Sequence, residues 1–360
     1  MSVIIFIIIL GILVFVHELG HFAMAKLFGI KVDEFGMGFP PRAVTLFKRG
    51  ETEYTLNWIP FGGFVKIHGE DSLSFDDPNY HRSLVSKPWW KQIIVLIAGV
   101  TMNVILAWFL FSASFMIGAP TTASSAANPN DLKNAQLTIV QVEPNSPAQT
   151  AGFKSGDRVV GLLRSDAILS NPTTDSFIQF IQTTKTEDSD QIKITRSGKE
   201  QTISVTPNTM IVPGSQAIGV AIDMVGIERT GFFKSLADGA TTTYYTAGQT
   251  VHAFGRLITG KTGLSSLSGP VGLVGVVGDA ERIGFVSVLM LAAVISINLA
   301  IINIVPFPAL DWGRILFVII EKIIRRPLPQ KFVEWTNTIG FFLLIALMIV
   351  VTIKDVIHLF

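Results

Sequence analysis

Apolar residues run unbroken from Val3 to Val16, and the run resumes at Phe22, Ala23 and Met24 after the polar cluster His17–His21. A helix needs about 20 mostly apolar residues to cross a hydrocarbon core. The pattern therefore predicts a first span over about Val3–Phe28, with a charged cluster inside it. A cleaved leader carries its positive residues ahead of the apolar run. Here the first basic residue, Lys26, follows the run, so the segment is expected to remain as a span. Ile93–Ile117 is apolar and uncharged and predicts a second span. Phe285–Val305 predicts a third, containing Asn298 and Asn303 and ending at Pro306-Phe307-Pro308. Thr338–Ile353 predicts a fourth.

The stretches between the spans have a different period. Thr52–Ile67 reads as strand material with a turn at Gly62-Gly63, so Tyr54–Trp58 is expected to pair with Phe61–Val65 as a small hairpin. Thr121–Asn130, rich in Ala, Ser, Asn and Pro, reads as a linker. Beyond it, Leu137–Val142, Gln191–Thr195, Gln201–Val205 and Ala217–Met224 read as strands, with Ser197-Gly198 as a turn. Asp175 is the expected N-cap of a short helix, Ser176–Gln182. Thr230–Thr259 reads as an amphipathic helix, and the Gly-rich segment Ser268–Gly278 follows it.

The predicted division is a first transmembrane helix at 1–30, a β-hairpin region at 31–91 and a second transmembrane helix at 92–118. A linker at 119–134 leads to a β-rich domain at 135–226. The amphipathic helix and Gly-rich segment occupy 227–284, and the last two spans 285–360. The expected fold class is an α-helical polytopic membrane protein with four transmembrane helices and an inserted β-rich domain.

Basic residues set the expected orientation. Lys31, Arg42, Lys48, Arg49, Lys66, Arg82, Lys87 and Lys91 lie between the first two spans, and Arg314, Lys322, Arg325, Arg326 and Lys331 between the last two. Four spans put both loops on one side, expected to be cytoplasmic. The termini and the β-rich domain then face outward.

Composition agrees with a lipid environment. Only 15% of the 360 residues are charged, against about 25% in soluble domains. A net charge of +1 gives no bulk attraction to nucleic acid, so no such partner is expected. The absence of cysteine removes disulfides, thiolate ligands and a cysteine nucleophile together. A metal here would have to use His, Asp, Glu or Asn.

His17-Glu18-Leu19-Gly20-His21 has the spacing such a metal requires. On a helix, positions i and i+4 share a face, so both imidazoles can reach one ion. Glu18 lies beside them as a general base. Set inside an apolar run, the cluster is costly unless it functions; the plain alternative is a polar helix end at the membrane surface. Two imidazoles leave a catalytic zinc one protein ligand short. Asp311 is the best candidate, because the third span is broken by two prolines just before it. Irregular backbone at membrane depth is tolerated where it lines a cavity. Without His17 and His21, Asp311 would read as an ordinary helix N-cap. Asn303, near the same break, could hold a substrate carbonyl or the developing oxyanion, or simply bridge helices. His68, His81, His252 and His358 have no partner at helical spacing and are expected to be structural.

These residues resemble the site-2 protease family of intramembrane zinc metalloproteases, in its bacterial regulator of sigma E protease type. His17–His21 is similar to that family's zinc motif. Asn303 to Asp311 is similar to its Asn-x-x-Pro-x-Pro-x-Leu-Asp motif, which implies Asp311 as the third Zn2+ ligand and Asn303 in catalysis or substrate binding. Phe35–Pro41 and Phe61–Lys66 resemble a reentrant β-hairpin that presents substrate as an added strand. Ala98–Asn103 resembles the family's Ala-Gly-Pro-x-x-Asn. Ser146-Pro147-Ala148, Ala151-Gly152-Phe153 and Gly156-Asp157 resemble a PDZ domain, and Ser268-Gly269-Pro270-Val271-Gly272 also recurs. The chain departs from the pattern at Val100, where Pro is usual, at Trp312, where Gly is usual, and in having room for one PDZ-like unit.

The resemblance implies a multi-pass enzyme of the bacterial plasma membrane. It would cut single-span membrane proteins, such as anti-sigma factors or signal peptide remnants, within the lipid bilayer, after a first cut by another protease. Two rivals come from other classes. A non-proteolytic scaffold recruiting partners through its PDZ-like domain has no need of His17, Glu18, His21 and Asp311 together. A metal transporter would need a polar path that the second and fourth spans lack.

Overall fold

The computed structural model describes residues 1–70, 77–124, 132–164, 167–185, 188–196, 198–212, 214–260 and 269–359. Along the chain these form α1 (Ser2–Leu27), β1 (Val32–Arg49), β2 (Thr52–Ile67), α2 (Trp89–Ile117), β3 (Ala119–Thr122), β4 (Lys133–Val142), α3 (Pro147–Ala151), β5 (Arg158–Arg164), β6 (Ala167–Ser170) and α4 (Thr174–Gln182). They continue as β7 (Asp190–Arg196), β8 (Lys199–Val205), β9 (Asn208–Val212), β10 (Ser215–Ala217), β11 (Val220–Glu228), α5 (Phe232–Ile258), α6 (Pro270–Ile283), α7 (Phe285–Ile304), α8 (Asp311–Ile324) and α9 (Gln330–Leu359). Among the described residues, α1, α2, α7 and Gln330–Ile357 of α9 are long and apolar enough to cross a membrane. These match the expected spans, although α9 begins earlier than Thr338.

The chain divides into two compact units. One holds Met1–Ala113, Phe233–Glu281 and Val288–Phe360; the other holds Ser114–Phe232 and Arg282–Ser287. In the first, α1 buries Phe6, Ile9, Leu13, His17, Gly20, His21 and Ala25. This is the i, i+3, i+4 stripe of one helix face. Phe6, Ile9 and Leu13 pack with Val277 of α6 and Ala292 of α7. Ala25 belongs to a second cluster with Val32, Phe35, Val65, Ile67 and Val95. Ile4, Ile8 and Ile12, one turn apart, are 59%, 54% and 52% exposed. An apolar stripe of this kind suits contact with lipid.

The expected hairpin is replaced by a more folded one. Val32–Met37 pairs with Gly63–Ile67, through contacts such as Phe35↔Val65 and Gly36↔Phe64. The same part of β1 also faces Glu53–Ile59, with Phe35↔Tyr54 and Met37↔Leu56 rising together on both strands. Arg42–Arg49 then closes on Thr52–Asn57. Tyr54 and Val65 therefore flank Phe35 from opposite sides instead of pairing with each other. Strand period specifies which side chains share a face, not which strand they meet.

Of the Gly-rich segment, Ser268 lies outside the described residues and Pro270–Gly278 is helical within α6. The Asp355 carboxylate on α9 accepts the Gly272 N–H at 2.8 Å. Ser2 Oγ donates to Glu281 Oε2 at 2.9 Å. Packing and these anchors override the weak helix propensity of glycine.

The second unit is built on a seven-stranded sheet in the order β3-β11-β4-β5-β7-β8, with β6 paired to β5. Leu137, Ile139, Val159, Leu162, Phe177, Ile181, Ile192 and Ile194 form its core. β7 and β8 pair from Asp190↔Val205 to Arg196↔Lys199, as expected; Ser197 of the expected turn lies outside the described residues. The expected linker is partly strand, because Pro120–Thr122 pairs with Val225–Ile227; its residues 125–130 lie outside the described residues. The α4 helix starts at Thr174, not Ser176. Thr173 is its N-cap, in a capping box with Ser176 that satisfies two helix-end donors at once, and Asp175 sits in the first turn.

Candidate metal centre

His17 and His21 lie on the buried face of α1 at 6% and 5% exposure. Asp311 comes from the segment after α7. Pro306 and Pro308 interrupt the helical run, and Ala309 takes a left-handed φ of 71°. The chain then restarts at Asp311 as α8. Its N-cap is Leu310, without a side-chain cap. Asp311 is thus not serving as the N-cap that its sequence context allowed. Gly313 seats this turn, since a Cβ there would collide with the Phe307 carbonyl. Arg314, one turn on, pairs with Glu70 after β2.

The three side chains meet at their ligating atoms. His17 Nε2 is 3.1 Å from His21 Nε2. Asp311 Oδ2 is 3.1 Å from the first and 3.5 Å from the second. Four ligands held tetrahedrally at zinc's usual 2.0–2.1 Å would stand about 3.3–3.4 Å apart. The observed triangle fits one face of that tetrahedron. Asp311 Oδ2 is also buried and makes no hydrogen bond. A carboxylate oxygen set against two imidazole nitrogens at these distances suits a cation site. Among the described residues, this is the only group of three or more His, Cys, Asp or Glu able to hold a metal.

The α2 helix forms the back wall. His21 Nδ1 donates to the Val95 carbonyl at 2.8 Å, which leaves Nε2 with its lone pair free. Asn103 Nδ2 lies 3.2 Å from His17 Nδ1. Between them, Gly99 presses on both rings: a Cβ there would fall 2.8 Å from His17 Nε2 and Cε1 and strike His21 Nε2. Gly20 of α1 in turn has no room for a Cβ against Ala98 and Gly99. Gly99→Ala is therefore expected to keep the chain folded but weaken zinc retention about tenfold or more. Overpacking costs about 1–3 kcal/mol, and the rings are the movable part. Chelator competition on the purified variant measures the effect.

Glu18 is half-buried and points to the hairpin. A Cβ on Gly63 would lie 3.7 Å from Glu18 Cγ. Asn303 sits half-buried in the last turn of α7, and among the described residues no hydrogen bond or ion pair joins it to His17, His21 or Asp311. His68 lies between Asp33 and Asp77, at 3.2 and 3.4 Å. Burial pushes the Asp33 carboxyl up, but hydrogen bonds from Lys31 and His68 hold it below the usual range. His81 and His252 are exposed, and the His358 side chain lies outside the described residues. Sequence reasoning assigned no role to Val95, Gly99 or Asn103. The signal was their spacing of four on one face of α2.

A metal-dependent peptidase built into a multi-span membrane protein is the class this arrangement defines. The chain belongs to peptidase family M50, whose family model matches residues 5–347. A candidate zinc metalloprotease of Clostridium perfringens is 37% identical over 346 residues, covering 96% of this chain and 95% of its own length. The zinc metalloprotease RasP of Geobacillus kaustophilus is 29% identical, covering 99% of this chain and 97% of its own. The regulator of sigma-W protease RasP of Bacillus subtilis is 30% identical, covering 100% and 99%. The last alignment spans 446 positions against 360 residues here, so that relative carries stretches this chain lacks. The Clostridium perfringens alignment needs no such extension.

Proposed function

We propose that this chain is an intramembrane zinc metalloendopeptidase in which His17, His21 and Asp311 hold the ion. Glu18 serves as general base. The observation that carries the reading is the triangle of Nε2, Nε2 and Oδ2 atoms, assembled from two distant segments. When bound, zinc supplies Lewis acidity toward the scissile carbonyl and activates water for attack. The Glu18 carboxylate takes a proton from the attacking water and returns it to the leaving amine nitrogen. Asn303 is assigned to the substrate carbonyl or the developing oxyanion, on its motif position alone.

The substrate is a single-span membrane protein, bound as an extended strand. Gly63–Ile67 has partners along one edge among the described residues. A peptide added to the other edge would pass beside Glu18, with main-chain hydrogen bonds giving affinity. In this reading residues 31–91 form a reentrant hairpin on the cytoplasmic side. Residues 135–226 are a PDZ-like domain on the outer side, where the termini also lie, and the membrane is the bacterial plasma membrane. The domain screens substrates that have not yet been trimmed. Signalling factors such as anti-sigma factors, and signal peptide remnants, are the candidate substrate classes.

The test uses the full chain in detergent with a model single-span substrate. About one zinc per chain is expected, with cleavage lost on chelation and restored by zinc. Cleavage that survives complete zinc removal would sink the reading.

A further inference from the structure

We infer that Asn103 is a positioning residue for His17, its amide oxygen accepting the Nδ1 proton and thereby fixing which ring nitrogen faces the ion. The inference rests on the ligand assignment above and deepens it.

A histidine that ligates through Nε2 must carry its proton on Nδ1, and that proton needs an acceptor. For His21 the acceptor is the Val95 carbonyl, at 2.8 Å. The group in the same place for His17 is the Asn103 amide, whose Nδ2 is 3.2 Å from Nδ1. Asn103 is fully buried, at 0% exposure. Its Oδ1 is also buried and has no hydrogen-bond partner. The two ends of a carboxamide are interchangeable by a half-turn about the last torsion. That half-turn brings Oδ1 onto Nδ1–H. It gives the orphaned oxygen a donor and leaves His17 Nε2 with a free lone pair. The opposite arrangement would make Nδ1 the acceptor and put the His17 proton on Nε2, facing His21 and Asp311, where no cation could bind.

The backbone holds Asn103 where this needs it. Its carbonyl accepts the Ser296 Oγ–H of α7 at 2.8 Å, in a buried contact. Val95, Gly99 and Asn103 stand at i, i+4 and i+8, one face of a helix. One face of α2 therefore orients both imidazoles, by a main-chain carbonyl at one end and a side-chain amide at the other.

The test measures zinc affinity by chelator competition on the full-length protein in detergent, for wild type, Asn103→Leu and Asn103→Asp. Leu matches the amide in size and cannot accept a proton. It is expected to weaken zinc binding about 10–100-fold, the usual cost of losing such a partner. Asp offers a stronger acceptor and is expected to bind zinc at least as tightly as wild type. Cobalt-substituted wild type and Asn103→Asp should share one visible spectrum. Equal affinity in wild type and Asn103→Leu would overturn the inference. So would a folded Asn103→Asp that loses zinc more than tenfold; this variant decides the matter alone if Asn103→Leu does not fold. Absence of zinc from the wild type would overturn the ligand assignment itself, and this inference with it.

Discussion

Glu18→Gln is expected to keep about one zinc per chain and to lose about 10²–10⁴-fold in cleavage, the usual contribution of a positioned proton-transfer group. Gln has nearly the shape of Glu but cannot accept a proton at neutral pH. The three atoms of the 3.1, 3.1 and 3.5 Å triangle belong to other side chains, so the ion loses no ligand. Glu18 faces Gly63 at the hairpin edge, so the change sits where the substrate strand would pass, not behind the imidazoles. Zinc content and cleavage rate on the same preparations separate the possibilities. A parallel fall in both would make Glu18 part of the ligand set. Undiminished cleavage would mean that another group moves the proton.

The spans were legible because lipid imposes a long, uncharged run that few other structures need. Phe285–Ile304 ends one residue before its expected limit, since the Pro306-Phe307-Pro308 break is local chemistry. The pair His17 and His21 was legible for a similar reason: spacing of four on a helix fixes a shared face. What the sequence left open was which distant partners the chain would bring together. Tyr54–Trp58 and Phe61–Val65 have strand character, yet each meets β1, because alternation cannot choose between neighbours. Pro270–Gly278 stands out in the sequence only as Gly-rich, which names no partner. In the structure it is helical, and Asp355, eighty-three positions away from Gly272, accepts the Gly272 amide proton. Asn103 was visible as a motif residue, but only the antiparallel contact of α2 with α1 gives its amide a histidine to face.

Asp311→Ala carries the sharpest pair of opposite signs. Zinc affinity is expected to fall by more than the 10–100-fold typical of losing an outer partner, because an inner ligand is removed, and cleavage is expected to fall below detection. The metal-free variant, by contrast, should be at least as stable as the metal-free wild type at a pH where both imidazoles are neutral. Asp311 Oδ2 is buried without a hydrogen bond and faces His17 and His21 at 3.1 and 3.5 Å; against neutral rings a buried carboxylate is costly. Ala removes that cost and takes little else. Gly313 still seats on the Phe307 carbonyl, and Arg314 still pairs with Glu70, so α8 keeps its place. Thermal unfolding with and without zinc checks both signs. Added zinc should raise the midpoint of the wild type, as any ligand selective for the folded state does, and leave the variant unmoved. A metal-free Asp311→Ala that unfolds well below the metal-free wild type would instead mean that the carboxylate holds the fold together and is no strained ligand.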